Sequence, residues 1–158
     1  MLYAILKTLH LLAIIVWIGG MVFGHFFLRP AAGILEPSVR VRLMHNVLGR
    51  FFNAVLAAIA IALATGLWMI GRVAKQVVQA GAQFNMPLEW TLMAALGILM
   101  MLIFGHIRFV LYKRLSRAAQ ALDWPAGGAA LAQISNWVLV NLVLGVLIVV
   151  VTLIGVPR

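Results

Sequence analysis

Long apolar runs, broken by short polar or basic intervals, dominate the chain. Residues 8–28, 51–71, 90–107 and 125–157 contain no Asp, Glu, Lys or Arg. Crossing about 30 Å of hydrocarbon takes roughly 20 apolar residues in helical form. Lipid offers the backbone no hydrogen bonds, so each run predicts an α-helix that satisfies its own N–H and C=O groups. Helices are expected over 4–28, 50–71, 88–112 and 133–156. The fold class that follows is all-α, an integral membrane four-helix bundle with antiparallel up-and-down topology. It forms a single membrane domain over residues 1–158. The first run follows Lys7 but is too long for a signal-peptide core and ends at no clean small-residue cleavage site, so it reads as a retained helix.

The intervals carry weaker signals. Residues 36–47 (EPSVRVRLMHNV) predict a short surface helix. Residues 76–86 are polar and lead to Pro87, a residue suited to the first turn of the third span. Residues 123–130 (DWPAGGAA) predict a turn that brings the third and fourth spans together.

Charge turns this pattern into a topology. Charged residues make up 9% of the chain, against about 25% in a soluble domain, which argues against a water-soluble fold. Basic residues number 12 and acidic residues 3, a net charge of +9. The basic residues lie between apolar runs, which points to anionic lipid headgroups rather than nucleic acid. Arg29, Arg40, Arg42 and Arg50 flank the first connection, and Arg108, Lys113, Arg114 and Arg117 flank the third. Only Lys7, Arg72, Lys75 and Arg158 lie elsewhere. The positive-inside rule then places the first and third connections in the cytoplasm and both termini outside. In a bacterium this is the inner membrane with periplasmic termini. The chain has no cysteine, so it offers no disulfide, thiolate metal site or cluster ligation.

Helical spacing aligns Asn53, Ala57, Ala60, Ala64 and Gly71 on one face of the second span. It aligns Trp137, Asn141, Gly145, Ile148, Thr152 and Gly155 on the fourth. Small residues let membrane helices approach closely, so both stripes read first as packing faces. Asn53 and Asn141 stand out as groups able to orient a ligand as well.

The candidate chemistry lies with histidine. Ionisable groups at membrane depth are functional candidates by default. His10 belongs to the outer part of the first span, and His25, fifteen residues on, lies about 22 Å deeper. The two differ by about 60° around the helix, so both can face the interior along with Ile14, Trp17, Met21 and Leu28. His106 is expected near the depth of His25, with His45 at the same membrane face. Imidazole suits copper, zinc and haem iron, and thioether sulfur favours Cu(I). A His and Met set without Cys leans toward copper or haem. The plainer readings are a hydrogen-bonded structural His and a Met that only packs. Trp68, Trp90 and Trp124 read as interface anchors, and Trp17 as bundle filler.

The segment KTLHLLAIIVWIGGMVFGHFFLRP, residues 7–30, resembles the first helix of CopD-like copper-resistance membrane proteins. The resemblance continues through GRFFNAVLAAIAIALATGLW in the second span and SNWVLVNLVLGVLIVVVTLIG in the fourth. It implies copper uptake or tolerance at the inner membrane. The early LH motif and the late His of the third span are also similar to HemJ-like protoporphyrinogen oxidases. That resemblance carries over His10 and His106. Its Lys near the start of the third span has no counterpart in PLEWTLMAAL.

The expected function is copper handling, by uptake, transport or resistance, with His10, His25, His106, Met69 and Met93 as metal ligands. The alternative is a b-type haem redox protein, with Arg29, Arg50, Arg108, Asn53 and Asn141 around the cofactor. A membrane scaffold with structural histidines is the third reading. The chain shows no nucleotide loop, nucleophile triad or paired intramembrane carboxylates. A non-enzymatic role is therefore expected, with a haem-dependent oxidoreductase as the enzymatic alternative. Expected partners are anionic lipid and a metal ion or haem, without nucleic acid, and a homo-oligomer is compatible with the pattern.

Overall fold

The computed structural model describes residues 1–154. Four long helices account for nearly all of them: α1 (Leu2–Ala32), α2 (Pro37–Gln79), α3 (Leu88–Gln120) and α4 (Trp124–Ile154). Each is long and apolar enough to cross a membrane. Cross-helix contacts establish the up-and-down topology. His10 meets Ala62 while Gly20 meets Phe51, so α1 and α2 run in opposite directions. His45 meets Tyr112 and Asn53 meets Arg108, so α3 runs against α2. Gly145 faces Met100 while Trp137 faces His106, so α4 runs against α3.

Residues 36–47 do not form a separate surface helix. They lead into and begin the 43-residue α2, which starts with Pro37 at its first turn and has no break until Ala80. Pro at this position gives up no intrahelical bond, and no proline follows to interrupt the ladder. The helix stops at Gly81, whose φ of +78° only glycine adopts freely. The Ala82 N–H there donates to the Val77 carbonyl at 3.1 Å and closes the end.

The expected turn at 123–130 is also shorter than its composition suggests. Asp123 Oδ1 accepts a hydrogen bond from the Ala126 N–H at 3.0 Å and caps α4. Pro125 fits the first helical turn, so Gly127 and Gly128 lie inside the helix. A Cβ on Gly127 would stand 2.9 Å from Val41 Cγ1, so this glycine lets α4 approach α2 closely.

The core occupies the half of the bundle nearest the α1–α2 and α3–α4 connections. Trp17, Phe52, Phe104, Ile107 and Leu115 are buried there. An aromatic series runs from Trp17 through Phe104, Phe52 and Tyr112 to His45, with successive ring centroids 5.2–6.2 Å apart. A smaller cluster of Ala13, Ala58 and Ala62 holds α1 against α2.

This packing corrects one predicted stripe. Asn53, Ala57, Ala60, Ala64 and Gly71 face outward, while Val55, Ala58, Ala62 and Thr65 are buried. Both faces of α2 carry small residues. The face that also presents Phe52 and Val55 buries more apolar area and is the one turned inward. On α4, Asn141 and Gly145 are buried and Ile148 and Thr152 half-buried, but Trp137 is 41% exposed. Gly155 lies outside the described residues.

Candidate metal centre

Two helices change pitch where the candidate residues lie. Residues Gly24–Leu28 of α1 and Ile107–Leu111 of α3 form π-turns. In the first, the Arg29 N–H donates to Gly24 O, and in the second the Tyr112 N–H donates to Ile107 O. A π-turn inserts a residue and rotates the side chains beyond it, a device common at functional sites. His25 lies inside the first turn, and His106 immediately precedes the second.

His25 is half-buried and points across the bundle to α4, where its Nδ1 and Ser135 Oγ share a hydrogen bond of 3.2 Å. It lines a cavity of about 420 Å³ between α1, α2 and α4. Met21 and Met44 line the same cavity. Both are buried, at 2% and 7% exposure. One imidazole and two thioethers thus border a single space, the soft and borderline donor types that suit Cu(I). Met21 is four residues before His25 and shares its helix face, a signal present in the sequence. Met44 and Ser135 come from other helices, and nothing in the spacing marks them.

His10 is held differently. Its Nδ1 lies 3.0 Å from Ala62 O and 3.1 Å from Thr65 Oγ1. Thr65 donates its hydroxyl proton to Ile61 O at 2.6 Å. Both neighbours of Nδ1 therefore act as acceptors, so Nδ1 carries the proton and Nε2 holds the lone pair. Met69 and Met93, the thioethers expected to assist His10, are each half-buried. The hydrogen-bond partners of His10 are oxygens.

His106 is exposed, with its ring edge-on to Trp137 at 5.5 Å. Ser135 and Trp137, two residues apart on α4, project about 200° apart around the helix. His25 and His106 thus address opposite sides of α4 and do not form the expected inner pair. Among the described residues, no three His, Cys, Asp or Glu side chains group to hold a metal.

The expected cofactor residues are scattered. Arg29 lines the cavity, while Arg50 is exposed. Arg108 Nη2 donates to Asn53 Oδ1 at 3.4 Å, and its guanidinium lies 5.0 Å from the Tyr112 ring centroid. Tyr112 in turn donates to His45 O at 3.1 Å, and its ring stacks on the His45 imidazole. Asn141 is 1% exposed, and its Oδ1 has no hydrogen-bond partner among the described residues.

Residues 45–154 match the family model of copper resistance protein D. That match covers more than half of the chain. The chain belongs to the copper resistance protein D family. This CopD-family protein is a multi-pass membrane protein, by its family and its four spanning helices. The LH…W motif of α1 lies outside the matched residues, whereas Asn53, His106, Ser135 and Asn141 lie within them. No curated protein and no solved structure matches the chain.

Proposed function

We propose that this protein handles copper across the inner membrane, and that His25, Met21 and Met44 form its Cu(I)-binding centre. The observation that carries the reading is their shared cavity, in which an imidazole and two thioethers from two helices border one space. Copper(I) accepts such ligands at low coordination number, without any carboxylate or thiolate. His25 would bind through Nε2 while Ser135 accepts from its Nδ1–H, the arrangement by which an outer partner fixes a metal-bound imidazole. His10, with Nε2 free of the contacts that hold Nδ1, supplies a second and separate position nearer the termini. His106 is left out of the set because it is exposed beside Trp137. The basic end of the bundle faces the cytoplasm by the positive-inside rule, so the His25 centre lies in the cytoplasmic half and the termini are periplasmic.

The test is a Cu(I) titration of purified protein against a chromophoric chelator, with an absorption spectrum of the same sample. The wild type is expected to bind Cu(I) without a Soret band. His25→Ala should weaken binding by roughly 10–100-fold or more, the scale seen even for loss of an outer partner. Met21→Leu and Met44→Leu should weaken it less. Wild-type affinity in His25→Ala refutes the centre. A Soret band that His25→Ala abolishes assigns the cavity to haem instead.

A further inference from the structure

The cavity beside His25 has a second character at its rim. Arg29, from the end of α1, and Arg40, from the first turns of α2, both line it. No Asp or Glu does. The remaining wall is largely apolar, with Leu28, Val47, Phe51, Leu131 and Val138 among its residues. A Cβ on Gly24 or Gly128, both at the border, would meet nothing within 4 Å, so the space between the helices is open at those points. Two guanidinium groups on one rim, without a carboxylate between them, call for an anion. The apolar wall calls for a hydrocarbon chain attached to it.

We propose that this cavity binds an anionic phospholipid, with the headgroup phosphate between Arg29 and Arg40 and an acyl chain along the wall toward Val138. Guanidinium presents paired N–H donors that match phosphate oxygens, which a Lys ammonium does not. A free phosphate would satisfy the arginines but leave the apolar wall against water. A zwitterionic lipid such as phosphatidylcholine would cover the wall and bring a phosphate. Its choline cation would offset that charge beside two guanidinium groups, whereas an anionic headgroup leaves it whole. Only an amphiphilic anion meets both demands. At about 420 Å³ the space takes a headgroup phosphate and part of one acyl chain, with the rest of the lipid outside it in the bilayer. Its place at the basic end matches that of basic pockets between helices that hold acidic lipids. The site stands whether or not copper occupies the inner part of the cavity.

Native mass spectrometry of the full chain, reconstituted with phosphatidylglycerol or with phosphatidylcholine of the same acyl chains, tests this. The wild type is expected to retain one phosphatidylglycerol and to release phosphatidylcholine. Arg29→Gln with Arg40→Gln should lower retention by about tenfold or more, since each lost contact is charge-assisted. Arg114→Gln with Arg117→Gln removes equal charge from the same end, outside the cavity, and should leave retention unchanged. Equal loss in both double variants, or equal retention of the two lipids by the wild type, overturns the proposal. Displacement of the lipid by glycerol phosphate at low concentration also overturns it, by showing a free-anion site. Should the double Gln variant not fold, Gly128→Phe keeps both arginines and fills the cavity. It is expected to expel the lipid, and unchanged retention there refutes the site.

Discussion

His10 on α1 and Ala62 on α2 are joined by a hydrogen bond of 3.0 Å whose direction follows from its chemistry. A carbonyl oxygen only accepts, so the proton is on Nδ1 and the opposite ring nitrogen keeps its lone pair. His10→Asn retains a donor close to the Nδ1 position and discards Nε2, whereas His10→Ala discards both. The Ala variant should lose about 1 kcal/mol of stability, the scale of an interhelical bond in a membrane. The Asn variant should recover much of that. Thermal unfolding in detergent measures the difference, and an Asn variant as unstable as Ala refutes the assigned proton. Neither change is expected to disturb the Cu(I) binding proposed for His25.

Adjacent glycines on α1 should respond oppositely. A Cβ on Gly20 would overlap the Phe51 ring, while one on Gly19 would meet nothing within 4 Å. Gly20→Ala should cost about 1–3 kcal/mol through overpacking. Gly19→Ala should be neutral or stabilising by up to about 1 kcal/mol, because alanine favours the helix. Combining Gly20→Ala with Phe51→Leu should restore part of the loss. Unfolding midpoints of the four proteins check the ordering.

Asn141 is buried, and among the described residues its Oδ1 is unpaired. Removing a buried, unsatisfied acceptor relieves a desolvation penalty of about 1–3 kcal/mol. Asn141→Leu, close in volume, should therefore match or exceed the wild type in thermal stability. A marked loss would show that Oδ1 has a partner in the membrane.

The absence of cysteine makes topology directly testable. Ser38 and Ser116 lie near the first and third connections, at the one end of the bundle that carries most of the basic residues. Single Ser38→Cys and Ser116→Cys variants should react with a membrane-impermeant maleimide only after the cell is opened. Labelling of intact spheroplasts at both positions would invert the orientation.

Part of this fold is legible in the sequence, and part is not. Four spans follow from hydrocarbon thickness alone, which is why the fold class was legible. Trp17 is buried as its position suggested. The inward face of α2 was not legible, because Ala57, Ala60 and Ala64 offer the same small profile as Ala58 and Ala62. What separates them is the placement of Phe52 and Val55 one step around the helix. The His25 neighbourhood was half legible. Met21 shares a helix face with it, but Met44 and Ser135 reach it only through tertiary packing. The π-turn that aims His25 at α4 leaves no mark in hydrophobic periodicity, because one inserted residue shifts the pattern by less than a third of a turn. His106 lies at the level of His25, as expected, but its direction away from His25 was not legible, because depth in the bilayer does not specify direction around the helix.

Between Arg50 and Arg72, α2 carries an uncharged stretch, residues 51–71, about 31 Å long at the helical rise. That is close to the thickness of an average bilayer interior. Guanidinium groups at both limits resist sliding in either direction, since each would have to enter hydrocarbon. The helix thus acts as a gauge that sets how high the bundle rides. A thinner membrane would be met by tilting, and a thicker one by local thinning of the lipid around it. Because the His25 cavity borders α2 from Arg40 to Phe51, the level of that cavity relative to the headgroups is set by the same gauge.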